Sequence, residues 1–304
     1  MILVGLFLLA LAMKESAVVL PALLIVVDFA QRRVKLSMRG FAEYADAMLM
    51  LLFMLTAALA WYLIIRFEVM GGSITGVDAA PSMPYLREEY RVLNALRAFP
   101  EFLRLMFFPQ ELASDYHPAV LLPVETVRPM VILGAGLLAV LAMLAFSTPW
   151  LPHLGFPAAW FLISIVTVSN LFFPVGVLVA ERTLYLPSVA LSALIAFAWQ
   201  AVTDRASTNM RRFAVFGSLC VVLVLGVRTW IRNPDWQSTG AVLQAHIRDY
   251  PHSYRSQWAL AVTHQGLGDM DAAEQHYRLG ERIYGRDPLF LTEFGDFLLL
   301  RGHL

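Results

Sequence analysis

The stretch NLFFPVGVLVAERTLYLPS, residues 170–188, lies between two strongly apolar segments of the chain. It contains Glu181 and Arg182, an acid and a base side by side with almost no soluble sequence around them. A charge inside or at the edge of a bilayer costs about 3 kcal/mol or more, so it needs a structural or functional reason. The stretch therefore predicts a polar turn at the surface of a membrane, between two membrane-embedded helices.

The composition supports a polytopic membrane protein with an all-α fold. The chain has 304 residues, of which 59% are hydrophobic and 15% are charged, and its mean hydropathy is +0.63. An ordinary soluble domain has about 25% charged residues. The formal net charge is zero, so we expect no nucleic-acid partner. The single cysteine, Cys220, excludes an intrachain disulfide, and the spacing of the histidines predicts no metal site.

Several segments have the length and polarity of membrane-spanning helices, which need about 20 mainly apolar residues. The first thirty residues contain two shorter apolar segments, 2–12 and 17–27, separated by Lys14 and Glu15. We expect them to be the end of one helix, a polar break and a second helix, with the first helix cut off by the start of the chain. The longer predicted spans are 45–65, 130–146, 156–172, 188–202 and 213–227.

The distribution of lysine and arginine predicts the orientation of these helices. Residues 31–39 (QRRVKLSMR) and 203–212 (TDRASTNMRR) are both basic, and such loops stay on the cytoplasmic side. The stretch 170–188, the long loop 66–129 and the region after residue 227 are then expected on the outer face. Both basic loops agree with one alternating topology.

The loop 66–129 carries a helical pattern of its own. Apolar and charged residues recur there every three to four positions, as Leu86, Tyr90, Leu93, Leu96 and Arg97 illustrate. This helix is expected either to lie in the membrane interface or to form a packed cap on the other helices. The two alternatives are compatible.

The end of the chain has a soluble helical pattern with an internal period of 34 residues. Leu260 corresponds to Phe294, and Gly268 corresponds to Gly302. Together with Ala261, Asp269, Ala273, Tyr277 and Gly280, this spacing predicts tetratricopeptide (TPR) repeats. We expect a transmembrane domain over residues 1–230 and about 1.5–2 TPR-like repeats over 231–304, incomplete at the C-terminus.

Two pairs of oppositely charged residues are the candidate site. Lys14–Glu15 and Glu181–Arg182 are both expected on the outer side, and both lead into an apolar helix through a proline. Ion pairing within the helix bundle, or extension of the basic side chains to the interface, is the structural alternative for each of them.

Four motifs in this order resemble one family. MKESAVVLPALLIVVD (13–28) resembles the lysine-containing turn of membrane glycosyltransferases that use polyprenyl-phosphate sugars. RFEVMGGS (66–73), followed by FPEFLRLMFFPQELASDYHP (99–118), resembles the external loop of the transmembrane and tetratricopeptide-repeat O-mannosyltransferases. SNLFFPVGVLVAERTLYLPS (169–188) and RTWIRNPDW (228–236) resemble the most recognisable stretch of that family and its junction into the repeats.

The resemblance implies a C-type glycosyltransferase fold, N-terminally incomplete in this chain. It also implies that a lipid-linked sugar donor, a polyprenyl-phosphate sugar, acts as co-substrate, and no other cofactor is expected. Lys14 and Arg182 are the expected ligands of the donor phosphate, because an arginine binds phosphate bidentately with charge assistance. Glu15 and Glu181 are expected to support them.

The resemblance also leaves the catalytic residue unknown. Such enzymes carry an acidic residue in the first external loop, which we expect to precede this chain. Asp78, Asp115 and His117 carry suitable groups, but they lie in a different loop, where turn or capping roles are more common. No residue is therefore assigned as the general base.

The leading function is transfer of a sugar, expected to be mannose, to protein hydroxyl groups on the outer or lumenal face. The expected partners are membrane lipid, the lipid-linked sugar, and a polypeptide acceptor or partner protein bound by the repeats. The alternative is a non-catalytic, membrane-anchored TPR scaffold. A transporter is a weaker third reading, because it would place charges at the bilayer midplane. A bacterial inner membrane is favoured over the endoplasmic reticulum.

Overall fold

The computed structural model describes most of the chain. The described residues are 2–32, 38–69, 71–72, 88–107, 109, 112–113, 116, 121, 123–175, 177–204 and 206–302, with the backbone alone at 29, 31–32, 38–48 and 88. Three candidate acid–base residues, Asp78, Asp115 and His117, lie outside this description, as does much of the basic loop 31–39.

The described residues form α-helices and contain no β-strand, so the predicted all-α class is confirmed. The helices are α1 (Ile2–Met13), α2 (Leu20–Arg32), α3 (Met38–Val69), α4 (Glu88–Phe107), α5 (Pro129–Phe146), α6 (Pro152–Val166), α7 (Ser188–Thr203), α8 (Thr208–Arg232), α9 (Thr239–Asp249), α10 (Tyr254–Gly266), α11 (Met270–Tyr284) and α12 (Pro288–Leu300).

Two compact units divide these helices. The described residues from 2 to 107 and from 124 to 194 form the first unit, and those from 109 to 123 and from 195 to 302 form the second. The predicted domain boundary between residues 230 and 231 stays a prediction.

Three helices are long and apolar enough to cross a membrane among the described residues. The spans are Leu49–Val69 in α3, Pro129–Phe146, and Thr208–Trp236, which consists of α8 and the 3₁₀ turn after it. The segments Pro152–Val166 and Ser188–Thr203 are shorter apolar helices. Five spans were expected from the sequence. The predicted span 156–172 is shortened because α6 ends at Val166 and the chain then turns at Asn170, whose φ is +58°.

The first unit is a helix bundle with close contacts between neighbouring helices. α1 packs against α3, α2 against α6, α6 against α5, and α5 against α4. Gly134 of α5 lies so close to α4 that a Cβ at this position would be 1.8 Å from the carbonyl oxygen of Leu96. A glycine is therefore required where α5 crosses α4.

The predicted helix of the long loop is present as α4, and it is packed. The buried stripe of α4 contains Asn94, Ala95, Ala98, Phe99, Phe102 and Leu105. This arrangement matches the packed-cap alternative, and the buried face lies one position away from the predicted Leu93 and Leu96. Asn94 is a polar residue in the middle of that stripe. Burial of its amide would be unfavourable without hydrogen bonds, so Asn94 needs partners inside the fold.

The second unit contains a pair of packed helices, α10 and α11, and the helix α12 that follows them. Asp269 caps α11 by accepting a hydrogen bond from the backbone N–H of Ala272 at 3.2 Å. Gly268 and Gly302, which correspond in the 34-residue period, both have a left-handed φ, +81° and +71°. The period therefore has a structural counterpart, because each glycine ends a helix in a conformation that other residues rarely adopt.

Aromatic side chains form the core of this helix pair. Ala261 and Ala273 are fully buried, which allows α10 and α11 to pack closely. The other buried members of the core are Tyr254, Tyr277, Phe290, Phe294 and Phe297. The assignment of these helices as TPR repeats stays a prediction.

Candidate functional site

Glu15 begins a 3₁₀ turn between α1 and α2, and Lys14 directly precedes this turn. This turn, Glu15–Val19, is called the Glu15 turn here, and it packs against α1, α2 and α6. Lys14 precedes it in an extended conformation, with φ −160° and ψ 132°. The extended residue stops α1 and lets the chain start a new helix in another direction, which exposes both charged side chains.

Glu15 is held by an arginine of α3. Nη1 of Arg66 lies 2.9 Å from Oε1 of Glu15, and it also donates a hydrogen bond of 3.4 Å to the hydroxyl of Tyr62. The pKa of the Glu15 carboxyl is lowered, first by a hydrogen bond to its own backbone and, against the effect of partial burial, by the charge of Arg66. Glu15 therefore stays ionised and ties the turn to the end of α3.

Glu181 and Arg182 lie in a second turn of the same kind. This 3₁₀ turn, Glu181–Leu184, is called the Glu181 turn here, and it packs against α4. Ala180 precedes it with φ −150° and ψ 131°, nearly the same extended conformation as that of Lys14. Leu184 is buried and Arg182 is exposed, so the turn is anchored by its apolar side and presents the guanidinium outward.

The chain that leads into the Glu181 turn is organised by Asn170. This residue is buried, and its side chain accepts a hydrogen bond of 2.8 Å from the backbone N–H of Val175 and donates one of 2.7 Å to the carbonyl of Val177. Its positive φ suits asparagine better than most other residues. One side chain thus closes the loop that follows α6.

Arg91 of α4 also binds this loop. Nη1 of Arg91 donates hydrogen bonds to the carbonyl oxygens of Asn170, at 2.8 Å, and Leu171, at 2.6 Å. These acceptors are neutral, so the positive charge of Arg91 is used to orient backbone and not to neutralise an acid. The loop that leads to Arg182 is therefore fixed to α4.

Two further side chains complete this polar framework. Asn94 is fully buried and exchanges two hydrogen bonds with the backbone of Val124, at 2.9 and 2.8 Å. Nε1 of Trp160 in α6 donates to the carbonyl oxygen of Leu186 at 2.9 Å, just before α7 begins. Both sides of the Glu181 turn are thus held by side chains from other helices.

The two predicted phosphate ligands share one property. Within the described part of the chain, neither Lys14 nor Arg182 makes a side-chain hydrogen bond or an ion pair, and both are exposed. Three other arginines of the first unit differ. Arg66 is bound to Glu15, Arg91 to backbone carbonyl groups, and Arg104 to Glu101. The predicted supporting role of Glu15 and Glu181 toward the phosphate ligands stays a prediction.

Sequence reasoning did not find Arg66, Arg91, Asn94 or Asn170. Arg91 and Asn94 bind backbone groups far along the chain, and such contacts leave no local pattern. Asn94 and Asn170 do carry a signal, since each is an amide inside an apolar segment, where it needs internal partners. Among the described residues, no group of three or more His, Cys, Asp and Glu side chains could hold a metal ion.

Comparison with known proteins gives matches to one group of named proteins. The chain is 26% identical over 243 residues to protein O-mannosyl-transferase TMTC1 of Mus musculus, which covers 76% of this chain and 25% of that protein. It is 37% identical over 88 residues to protein O-mannosyl-transferase Tmtc3 of Drosophila melanogaster, covering 29% of this chain and 10% of that protein. It is 38% identical over 83 residues to TMTC3 of Homo sapiens, covering 27% and 9%.

The chain thus spans about a tenth to a quarter of the length of the curated relatives it matches. No family model matches the chain, and no solved structure matches it.

Proposed function

We propose that this chain, which is similar to named protein O-mannosyl-transferases, is a member of their family and forms part of a membrane glycosyltransferase. The proposed reaction moves a sugar, expected to be mannose, from a polyprenyl-phosphate donor to the hydroxyl group of a protein side chain. The names of the homologues support O-mannosyl transfer at the level of the family. The donor and the membrane face belong to the proposal.

The observation that carries this proposal is the difference between the cations of the first unit. Arg66, Arg91 and Arg104 are bound to groups of the chain itself, whereas Lys14 and Arg182 are exposed and have no hydrogen bond or ion pair to a described residue. Each of the two begins or occupies a turn directly before an apolar helix. A lipid phosphate lies at the headgroup level, where such turns end the apolar segments.

The chemistry assigned to these two residues is binding of the donor phosphate. In the transfer, the bond between the sugar C1 and the phosphate oxygen breaks, and a bond between C1 and the acceptor oxygen forms. The phosphate leaves with the electron pair, and a nearby guanidinium or ammonium group stabilises its growing negative charge. The proton of the acceptor hydroxyl goes to a general base, for which we assign no residue of this chain.

The proposed topology puts both turns on the outer or lumenal face. Loops 31–39 and 203–212 are then cytoplasmic, as their basic residues favour. The helices from α9 onward lie on the same face as the donor and are proposed to act as TPR-like repeats that bind the polypeptide acceptor. A bacterial inner membrane is favoured.

The test is binding of a short-chain polyprenyl-phosphate mannose to the full chain in lipid nanodiscs. Lys14→Ala and Arg182→Ala are each expected to weaken binding about tenfold, as loss of a charge-assisted hydrogen bond would. Arg182→Lys should give an intermediate value, because it keeps the charge and loses the bidentate geometry. Arg128→Ala is the control, because Arg128 is also exposed and directly precedes an apolar helix, α5, but lies in neither of the two 3₁₀ turns.

Unchanged binding in the correctly folded Lys14→Ala and Arg182→Ala variants would reject the assignment of these residues. If the unaltered chain does not bind the donor at all, the scaffold alternative replaces the transferase proposal.

A further inference from the structure

A series of contacts leads from α4 to Arg182, one of the two residues that are proposed to bind the donor phosphate. The first of these contacts is made by Arg91, near the start of α4. Its Nη1 atom donates hydrogen bonds to the carbonyl oxygens of Asn170, at 2.8 Å, and Leu171, at 2.6 Å. Both hydrogens of that nitrogen bind one short piece of backbone. The two bonds therefore fix the direction of the backbone as well as its distance from α4.

The helix that carries Arg91 is itself firmly held. One turn further along, Asn94 is fully buried and exchanges two hydrogen bonds with the backbone of Val124. Beyond it, α4 crosses α5 so closely that Gly134 has no room for a Cβ beside the carbonyl oxygen of Leu96. Because α4 is fixed in this way, a loop bound to Arg91 takes its position from α4.

Hydrogen bonds and burial continue from this loop into the Glu181 turn. The side chain of Asn170 donates a hydrogen bond of 2.7 Å to the carbonyl oxygen of Val177. The next three residues, 178–180, are all buried, so they cannot move without displacing their neighbours. The backbone N–H and the hydroxyl of Thr183 then donate to the carbonyl oxygen of residue 180, at 3.0 and 2.6 Å. The exposed guanidinium of this turn is therefore placed by the bound backbone on either side of it.

The Glu181 turn also contacts α4 directly. It packs against α4, and its buried Leu184 anchors the apolar side of the turn. After the turn, Nε1 of Trp160 donates a hydrogen bond of 2.9 Å to the carbonyl oxygen of Leu186. The turn is thus fixed at both ends, and at the first end the fixing group is Arg91.

We infer that Arg91 and Asn170 are positioning residues for Arg182, and that they set its guanidinium where it meets the donor phosphate. The inference rests on the proposed function, because it takes Arg182 as a ligand of that phosphate. The two positioning residues act through the backbone and do not touch the donor. A group that is fixed in advance binds more tightly than a mobile one, because less conformational entropy is lost when the ligand arrives.

The test is a double-mutant cycle, measured as binding of a short-chain polyprenyl-phosphate mannose to the full chain in nanodiscs. Arg91→Met removes the hydrogen-bond donors and should weaken binding about threefold to tenfold, which is no more than the loss of Arg182 itself. In the Arg182→Ala background, the same substitution should change binding less than about twofold. In the Lys14→Ala background its full effect should remain, because Lys14 precedes the separate Glu15 turn.

Three further variants show whether the lost hydrogen bonds are the cause. Arg91→Lys keeps a group with three donor hydrogens that can bind both carbonyl oxygens, so binding should return to within about twofold of the unaltered chain. Arg104→Met is the matched control on the same helix, because Arg104 is ion-paired with Glu101 of α4, and binding should not change. Asn170→Gly loosens the same loop from within and should weaken binding as Arg91→Met does. It keeps the test valid if Arg91→Met does not fold.

Hydrogen exchange measured without donor separates this inference from the proposed function. Arg91→Met should speed exchange over residues 170–182 and leave α1–α3 unchanged. The inference would be overturned, with the donor site left intact, by unchanged exchange, by undiminished donor binding in Arg91→Met, or by an equal effect of Arg91→Met with and without Arg182→Ala. Absence of donor binding by the unaltered chain would instead reject the proposed function, and the inference with it.

Discussion

In the first unit, the loops are held by polar side chains that bind backbone groups, whereas in the second unit the α10–α12 helices are held by an aromatic core. Arg91 and Asn94 make hydrogen bonds of 2.6–2.9 Å to backbone atoms of distant loops, and Asn170 makes hydrogen bonds of 2.7 and 2.8 Å within its own loop. Tyr277 instead stacks on Phe294 with ring centroids 5.1 Å apart, and it packs against Phe290 and Phe297.

The difference agrees with the polarity of the two regions, because the first unit contains the candidate membrane spans Leu49–Val69 and Pro129–Phe146, whereas α10–α12 contain none. An apolar environment offers little hydrophobic gain for packing one apolar helix on another, so hydrogen bonds and close helix contacts carry the specificity. In water, burial of aromatic area is the main source of stability. Substitutions of core residues, of close-contact glycines and of buried amides should therefore affect the two units differently.

Phe290→Ala is expected to have the largest effect, and only in the second unit. Phe290 is fully buried and contacts Tyr254, Trp258 and Tyr277, so its truncation leaves a cavity and should cost about 3–5 kcal/mol. Hydrogen exchange measured by mass spectrometry should become faster throughout α10–α12. Leu289→Ala is the control, because Leu289 is 62% exposed in the same helix and its truncation should leave exchange nearly unchanged.

Gly134→Ala should break the contact between α4 and α5 in the first unit. The new methyl group would meet the carbonyl oxygen of Leu96, which is backbone and cannot rotate away, so we expect a loss of about 3 kcal/mol. A lower thermal denaturation midpoint of the full chain in detergent would report it. Gly136→Ala, where the structure has nothing within 4 Å of the added methyl, should not lower the midpoint. Equal midpoints for both variants would contradict the close crossing.

Asn170→Gly should loosen the loop before the Glu181 turn without changing the helices. Glycine accepts the positive φ but leaves the N–H of Val175 and the carbonyl of Val177 without their side-chain partner, at a cost of about 1–3 kcal/mol. Asn170→Ala loses the same bonds and adds backbone strain, so it should be less stable than the glycine variant. Hydrogen exchange over residues 167–187 measures both. The opposite order of the two variants would mean that the backbone conformation is not the constraint.

The smallest expected effect is a pH dependence in the second unit. His276 and His264 stack with ring centroids 5.3 Å apart, and the pKa of His276 is lowered below 6.5, mainly by burial and then by the charge of His264. A lowered pKa in the folded state means that stability is full above pH 6.5 and falls as the pH drops through the pKa of the folded protein. His264→Asn should raise the pKa of His276 in an NMR titration of the labelled rings. A further decrease would contradict the assigned cause.

Short-range features were predictable from the sequence in both units. The apolar segments, the helix in the long loop and the 34-residue correspondence of Gly268 and Gly302 all follow from residues close together in the chain. The family resemblance stated from the sequence motifs is confirmed by the curated homologues. Such motifs can be recognised from the sequence because their residues are contiguous.

The partners of individual polar groups were not predictable. Arg66 was not expected to bind Glu15, and Arg91 was not expected to bind the carbonyl groups at residues 170 and 171, 79 and 80 positions further along. The end of α6 at Val166 was also missed, because the predicted span 156–172 was extended through the polar residues Thr167, Ser169 and Asn170. The hydrogen bonds of the Asn170 side chain, together with those of Arg91, explain why these residues form a loop.

The sequence by itself determined that this is a helical membrane protein related to O-mannosyl-transferases, since hydropathy and contiguous motifs are properties of the chain before it folds. The tertiary structure alone decided which of its cationic side chains are hydrogen-bonded or ion-paired within the fold. Arg66, Arg91 and Arg248 are bound within the fold, and Lys14 and Arg182 have no side-chain hydrogen bond or ion pair to the residues that the structure describes. The physical reason is that a guanidinium or ammonium group is equally charged everywhere in a sequence, and only folding brings an acceptor within 3 Å of it.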